Sequence, residues 1–233
     1  MNVRTKFILD AAIKEYIKSG EPVSSKELVK YHDFGVRDAT VRNELNRLTK
    51  DGFLAQLHTS GGRVPTDKGY QFFVGNTLDS VATSNKILRD RYSGLAGDLK
   101  RGRLREFIEA VSDETKLLGA GKKEKEEAVY KSGFEDLFNR LDIEMKKDLQ
   151  EIVHDFEMLD RRLKEFGARI GENLETPKVF IGKKSPITKS DNLSVILDSY
   201  DIDGQKVLIA VIGPKRMDYD KNLKLLKLFH EYE

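Results

Sequence analysis

Residues 39–54 read ATVRNELNRLTKDGFL, and residues 58–74 read HTSGGRVPTDKGYQFFV. In the first stretch Val41, Leu45 and Leu48 recur at helical spacing and demand a core on one side. The opposite side carries Asn43, Asn46, Arg47 and Lys50, with Thr40 and Arg42 at its edges. Asp38 is placed to cap a helix over 39–51, and Gly52 to end it. Two short strands are predicted at 53–57 and 62–65, joined by His58-Thr59-Ser60-Gly61. Thr66-Asp67 then starts a helix that carries Tyr70, Phe72 and Phe73.

Upstream, residues 4–18 form a helix with Phe7, Ile8, Ala11, Ala12, Tyr16 and Ile17 on one face. Ser19-Gly20 stops it and Pro22 follows. Ser24 or Ser25 caps a second, short helix through about His32, with Leu28 and Val29 inward, and Gly35 makes the next turn. Three helices followed by a hairpin are the pattern of a winged helix-turn-helix, predicted here over residues 1–76.

The third helix would then read duplex DNA. Asn bonds adenine through two atoms, Arg bonds guanine, and Lys suits phosphates. Thr40, Asn43 and Arg47 lie in the N-terminal part of the strip and are the expected base readers, with Arg42, Asn46 and Lys50 beside them. On the hairpin, His58, Thr59, Ser60 and Arg63 are the expected DNA contacts: small residues allow close approach to a phosphate, hydroxyls donate, and Arg63 adds charge. An ordinary solvated helix face would show a similar strip, and a lone histidine at such a place is more often structural than functional.

Beyond residue 76 the chain becomes more charged. Residues 77–127 read as a helical connector that ends in an exposed linker, GAGKKEKEE at 119–127. Residues 128–233 read as a smaller α+β unit. Within it, apolar residues step by three and four from Phe134 through Leu141, Met145, Leu149, Ile152 and Phe156 to Ile170, with a break near Asp142. That stripe fits either a core-facing helix or a self-association seam. Strands are predicted at Lys178–Gly182, Ser194–Ile202 and Gln205–Gly213, the last two joined by an Asp203-Gly204 turn, with Asp218 capping a final helix. The fold class expected for the whole is α+β, mostly helical.

Composition narrows the function. The 233 residues carry 41 Lys+Arg against 39 Asp+Glu, a net charge of only +2. Residues 1–75 hold 12 of the basic and 9 of the acidic residues, so the mild excess sits at the N-terminal end. There is no cysteine, which removes disulfides, thiolate nucleophiles and zinc–thiolate sites. The four histidines, His32, His58, His154 and His230, are scattered, and no nucleophile elbow or paired metal-ligand motif occurs. No enzyme activity, cofactor or metal is expected. No apolar run approaches the roughly 18 residues that span a bilayer, and Met1–Asp10 has no signal-peptide pattern, so a cytoplasmic location is expected.

Together these segments resemble one family. ATVRNELNRLTKDGFL and HTSGGRVPTDKGYQFFV are similar to the recognition helix and wing of the heat-inducible transcription repressor HrcA. GEPVSSKEL (20–28), FIGKKSPI (180–187) and VIGPKRMDY (211–219) resemble further segments of that family, in the same order. Asp38 stands where the family usually has serine, Leu57 where it has proline, and Gly61 where it has alanine. Members are considerably longer, with a GAF-like domain interrupted by an inserted dimerisation domain. The resemblance therefore implies a reduced GAF-like unit over 128–233, lacking the insert and part of the sheet. It also implies repression of chaperonin and DnaK operons through an inverted-repeat operator bound by a homodimer, relieved by heat, with chaperonin as a further partner. A winged-helix regulator of other genes would share these features. A winged helix that binds protein would instead present an apolar face.

Overall fold

The computed structural model describes residues 1–58, 61–80, 86–141, 145–169 and 177–231. The chain divides into two compact units, Met1–Ser80 and Val81–Glu233.

The first unit opens with α1 (Val3–Ser19). Asn2 caps it by accepting from the Thr5 N–H, and Gly20 ends it in the left-handed conformation at φ +74°. Ile8, Leu9, Ala11, Ala12 and Ile13 are buried. Phe7, expected in that core, is instead 46% exposed and packs at the surface against Phe34 and His32. Helix α2 (Ser25–Tyr31) is set by a reciprocal cap: Ser24 accepts from the Glu27 N–H, and Glu27 accepts from the Ser24 N–H. Helix α3 (Asp38–Lys50) buries Val41, Leu45 and Leu48, as its spacing predicts. Strands β1 (Leu54–Ala55) and β2 (Val64–Pro65) pair antiparallel, and α4 (Asp67–Ser80) returns with Tyr70 and Phe73 buried.

The second unit contains α5 (Lys86–Lys100), α6 (Leu104–Thr115), β3 (Leu118–Lys123), β4 (Tyr130–Ser132), α7 (Phe134–Phe138), α8 (Lys146–Arg169), β5 (Lys178–Ile181), β6 (Leu193–Ile202), β7 (Gln205–Pro214) and α9 (Tyr219–His230). The strands form one antiparallel sheet in the order β4-β3-β7-β6-β5. Alternation decides which helix each side chain meets. Leu118, Ala120, Val195, Leu197, Leu208, Ala210 and Ile212 join Leu137 of α7 and Ile152, Leu159 and Leu163 of α8 in one core. On the opposite face, Phe107 of α6, Tyr200 of β6 and Phe229 of α9 meet edge to face.

Three expectations are corrected here. The presumed linker at 119–127 is largely strand: β3 lies between β4 and β7 and is buried through Lys122. Gly119 and Gly121 are small because α6 lies directly on them; a Cβ on Gly121 would sit 2.8 Å from Ile108 Cδ1. Lys122 keeps its ammonium satisfied by donating to the carbonyls of Lys123 (2.9 Å) and Glu124 (3.3 Å). The presumed connector at 77–127 also contains α6, whose Leu104, Phe107, Ile108 and Val111 are core residues of the second unit. The second unit therefore begins well ahead of the expected residue 128, and the segment read as linker lies inside a continuous five-stranded sheet among the described residues.

The 134–170 stripe proves mainly core-facing. It is interrupted after α7; Asp142, where the break is expected, and Ile170 lie outside the described residues. Met145, just before α8, and Leu149 and Val153, one turn apart on it, remain 61%, 40% and 42% exposed. Asp155, on the buried side, accepts from the backbone N–H groups of Lys189 and Ser190 and from Arg162, tying α8 to the segment before β6. The β6–β7 hairpin turns at Asp203 (φ +52°) and Gly204 (φ +72°), the two positive angles of a type I′ turn. Asp218 caps α9 by accepting from the Lys221 N–H.

Two carboxylates hold this unit together with opposite electrostatic signs. Burial pushes the Asp198 carboxyl above its ordinary range, although His230, Tyr200 and the Ser199 N–H all pull it back. Burial also acts to raise Glu114, but hydrogen bonds from Lys221 and Tyr92 outweigh it and hold that carboxyl below its ordinary range.

Candidate nucleic-acid interface

Helix α3 presents Arg42, Asn43, Asn46, Arg47 and Lys50 to solvent, and Thr40 is half-buried at the edge of this strip. The buried side, Val41, Leu45 and Leu48, fixes the rotation of the helix, so the polar strip cannot turn inward. Asp38 is not the N-cap. Arg37 takes the extended conformation and occupies that place, without a side-chain cap, and its carbonyl accepts from Thr40 and Val41. Asp38 is the first helical residue, where a carboxylate favours the positive helix end. It also accepts from Arg42 one turn on, at 3.1 Å, so part of the strip's positive charge is internally paired. Arg47 similarly approaches Asp51 at 3.8 Å, with both side chains largely exposed.

The hairpin contributes less ladder than the sequence predicts and more tertiary anchoring. Only two residue pairs join β1 to β2, but Arg63 also pairs with Val23 in an isolated antiparallel bridge, with N–H to O distances of 2.9 and 2.8 Å. Gly62 permits this approach: a Cβ there would lie 2.4 Å from the Pro22 carbonyl oxygen. The small residues of the wing were expected to admit a phosphate; at Gly62 the lack of a side chain admits the protein's own backbone. Gly69 does the same at the hairpin's exit, where a Cβ would lie 2.2 Å from the Phe53 carbonyl oxygen. Thr66 donates to the carbonyls of Gly52 and Phe53, closing the base of the hairpin.

Of the residues expected on the wing, His58 is exposed, and its carbonyl accepts from the Gly61 N–H. Thr59 and Ser60 lie outside the described residues. Arg63 reaches back from β2 to α3. Its Nε donates to Thr49 Oγ1 at 3.0 Å and its terminal nitrogens to Asn46 Oδ1 at 2.7 Å and to the Gly61 carbonyl at 3.2 Å.

The structure thus brings Arg42, Asn46 and Arg63 to one cleft of about 360 Å³. Ser24, Lys26 and Gln56 also line it and were not singled out from the sequence. Ser24 was legible only as a cap. Lys26 gave no signal, because one exposed lysine on a short helix looks like any other.

A family profile described as "HrcA protein C terminal domain" matches residues 36–223, from the turn before α3 into α9. This chain belongs to the HrcA C-terminal domain family. Among curated HrcA relatives, the heat-inducible transcription repressor HrcA of Roseiflexus castenholzii is 44% identical over 99 residues, covering 41% of this chain and 28% of that protein. The protein of the same name from Rhodococcus jostii is 46% identical over 101 residues, covering 41% of this chain and 29% of its own. The matched part is thus well under a third of either HrcA relative. A crystal structure described as that of a hypothetical protein superposes with a TM-score of 0.71 at 16% identity, covering 100% of this chain and 98% of the other; it shares the fold.

Proposed function

We propose that this HrcA-family chain is a DNA-binding transcriptional repressor. In this reading the first unit is a winged helix-turn-helix and the second a GAF-like unit. The observation that carries it is the polar face of α3, Arg42-Asn43-Asn46-Arg47-Lys50, held outward by a buried opposite face and flanked by a hairpin pinned to it. A protein-binding face would be apolar at these positions. The repressor names of the relatives support the same reading, as does the layering of helices on a five-stranded antiparallel sheet in the second unit.

The finer assignment follows the resemblance. The targets are chaperonin and DnaK operons, the operator is an inverted repeat, the protein acts as a homodimer, and chaperonin is the further partner. A two-fold operator demands a two-fold protein with recognition helices about 34 Å apart, or a multiple of it. The exposed apolar residues Leu149 and Val153 of α8, with Met145 just ahead of it, support self-association.

The deciding experiment is fluorescence anisotropy with a duplex carrying the inverted repeat upstream of the host's chaperonin genes, against a scrambled duplex. Asn43→Ala and Arg47→Ala should each weaken specific binding by about 1–3 kcal/mol and scrambled binding far less. Equal loss on both duplexes would remove the base-reading role. Light scattering at micromolar concentration should give a dimer, and a monomer that binds a half-site would overturn the two-fold assignment.

A further inference from the structure

We infer that Arg63 is a positioning residue that fixes Asn46 as a hydrogen-bond donor toward DNA, not a ligand of the phosphate backbone; the inference rests on the DNA-binding reading above. An arginine can only donate. The Asn46 atom 2.7 Å from the Arg63 guanidinium is therefore the amide oxygen, and the amide orientation follows without ambiguity. Two hydrogens remain on Asn46 Nδ2, on an exposed residue of α3. An asparagine that reads adenine through two atoms uses its oxygen as acceptor and its nitrogen as donor. Here the guanidinium takes one of the two lone pairs of that oxygen and fixes the amide, which leaves the N–H₂ group as the freely presented part through which Asn46 acts. Its natural partners are major-groove acceptors: N7 or O6 of guanine, N7 of adenine, O4 of thymine.

The geometry of Arg63 argues against phosphate duty. Its backbone is tied on both sides by the Val23 bridge. Its fork spans two residues of α3, Asn46 and Thr49, while a third contact returns to the Gly61 carbonyl. Thr49 is itself held, donating to the Leu45 carbonyl at 2.9 Å, so the Nε contact has a fixed target. Reaching a phosphate would break these contacts and release Asn46. The fork also requires the planar arrangement of Nε and terminal nitrogens that lysine lacks.

The test compares the wild-type chain with Arg63→Lys, Arg63→Ala, Thr49→Val and Asn46→Ala. The probes are a duplex enriched by the wild type from a random-sequence pool and a scrambled duplex of equal length, titrated across a salt series. Arg63→Lys keeps the charge and loses the fork. It should lower the ratio of specific to scrambled affinity roughly tenfold, as Asn46→Ala does, and leave the slope of log affinity against log salt unchanged. Combining Arg63→Lys with Asn46→Ala should lower the ratio no further than either alone. Thr49→Val retains Arg63 and should lower the ratio by a smaller factor. If Arg63→Lys keeps the wild-type ratio while Arg63→Ala flattens the salt slope by about one unit, Arg63 is a phosphate ligand and the inference fails.

A wild type that binds no duplex would defeat the DNA reading alone. In that case the clamp is read without DNA, from the Asn46 side-chain amide resonances. They should move in Arg63→Lys and in Thr49→Val, with circular dichroism preserved. Amide resonances unchanged in both variants would overturn the clamp itself.

Discussion

The molecule contains two β-hairpins built on opposite principles. In β6–β7, ten residues on each side pair from Leu193↔Pro214 to Ile202↔Gln205, and the strands are the centre of a buried sheet. In β1–β2, two pairs suffice, and the hairpin is held from outside by the Val23 bridge, the Arg63 fork and the Thr66 hydroxyl. The first hairpin is stable because of what it buries. The second is accurate because of what it touches. Where a hairpin buries little apolar surface of its own, directed polar contacts take over the positioning.

The largest effect should come from the buried hairpin. Leu197→Ala empties a fully buried position in the sheet core and should destabilise the second unit by about 2–5 kcal/mol, read as a lowered thermal midpoint. The same truncation at half-buried Val64 in β2 should cost about 1 kcal/mol or less, and a loss as large as that at Leu197 would break the comparison.

Glycine-to-alanine exchanges sharpen it. Gly62→Ala drives a methyl into the Pro22 carbonyl and should cost about 3 kcal/mol, with faster hydrogen exchange at the Val23 and Arg63 amides. Gly204→Ala meets nothing within 4 Å, and its only penalty is the positive φ of +72°. That should cost about 1–2 kcal/mol, with the hairpin register intact. If the two exchanges cost the same, packing around the wing is looser than the structure gives.

Much of this difference was legible beforehand, though unevenly. Asp203-Gly204 announced the long hairpin because a two-residue turn with two positive angles accepts few residue types. Ser24, Gly20 and Asp218 were readable for similar reasons: each does its work within four residues of itself. The polar strip of α3 was readable because Val41, Leu45 and Leu48 dictate its rotation. What escaped depends on distant partners. Residues 119–127 read as a linker because two glycines and a lysine run carry no apolar alternation; the burial of β3 within them is supplied by Ile108 and the flanking strands. Arg63 looked like a free cation because Asn46 and Thr49 precede it by many residues. Reading Asp38 as the cap sets the start of α3 one residue too late, a boundary that only the extended Arg37 decides.

The smallest effect concerns pH. Glu114 links α6 to Tyr92 of α5 and Lys221 of α9, and its carboxyl is held below its ordinary value of 4.5. A depressed carboxylate stabilises the fold above its unfolded pKa, and that contribution is lost as pH falls through the lower folded value. Glu114→Gln should therefore cost about 1 kcal/mol at pH 7 and progressively less at more acid pH, in thermal melts run from pH 7 to 3. A penalty that stayed constant across that range would mean the side chain acts by shape rather than by charge.

The bond between Arg63 and Asn46 also limits how this surface can be re-engineered. Recognition helices are attractive modules to transplant, because their outward residues look self-sufficient on a helical wheel. Here one of those residues takes its orientation from a side chain seventeen positions later, on another element. A chimera that received α3 alone would carry Asn46 with its amide free to rotate, and so would keep the outward residues of the helix without the contact that orients one of them. The transferable module runs from the turn ahead of α2, which supplies Pro22 and Val23, through Arg63.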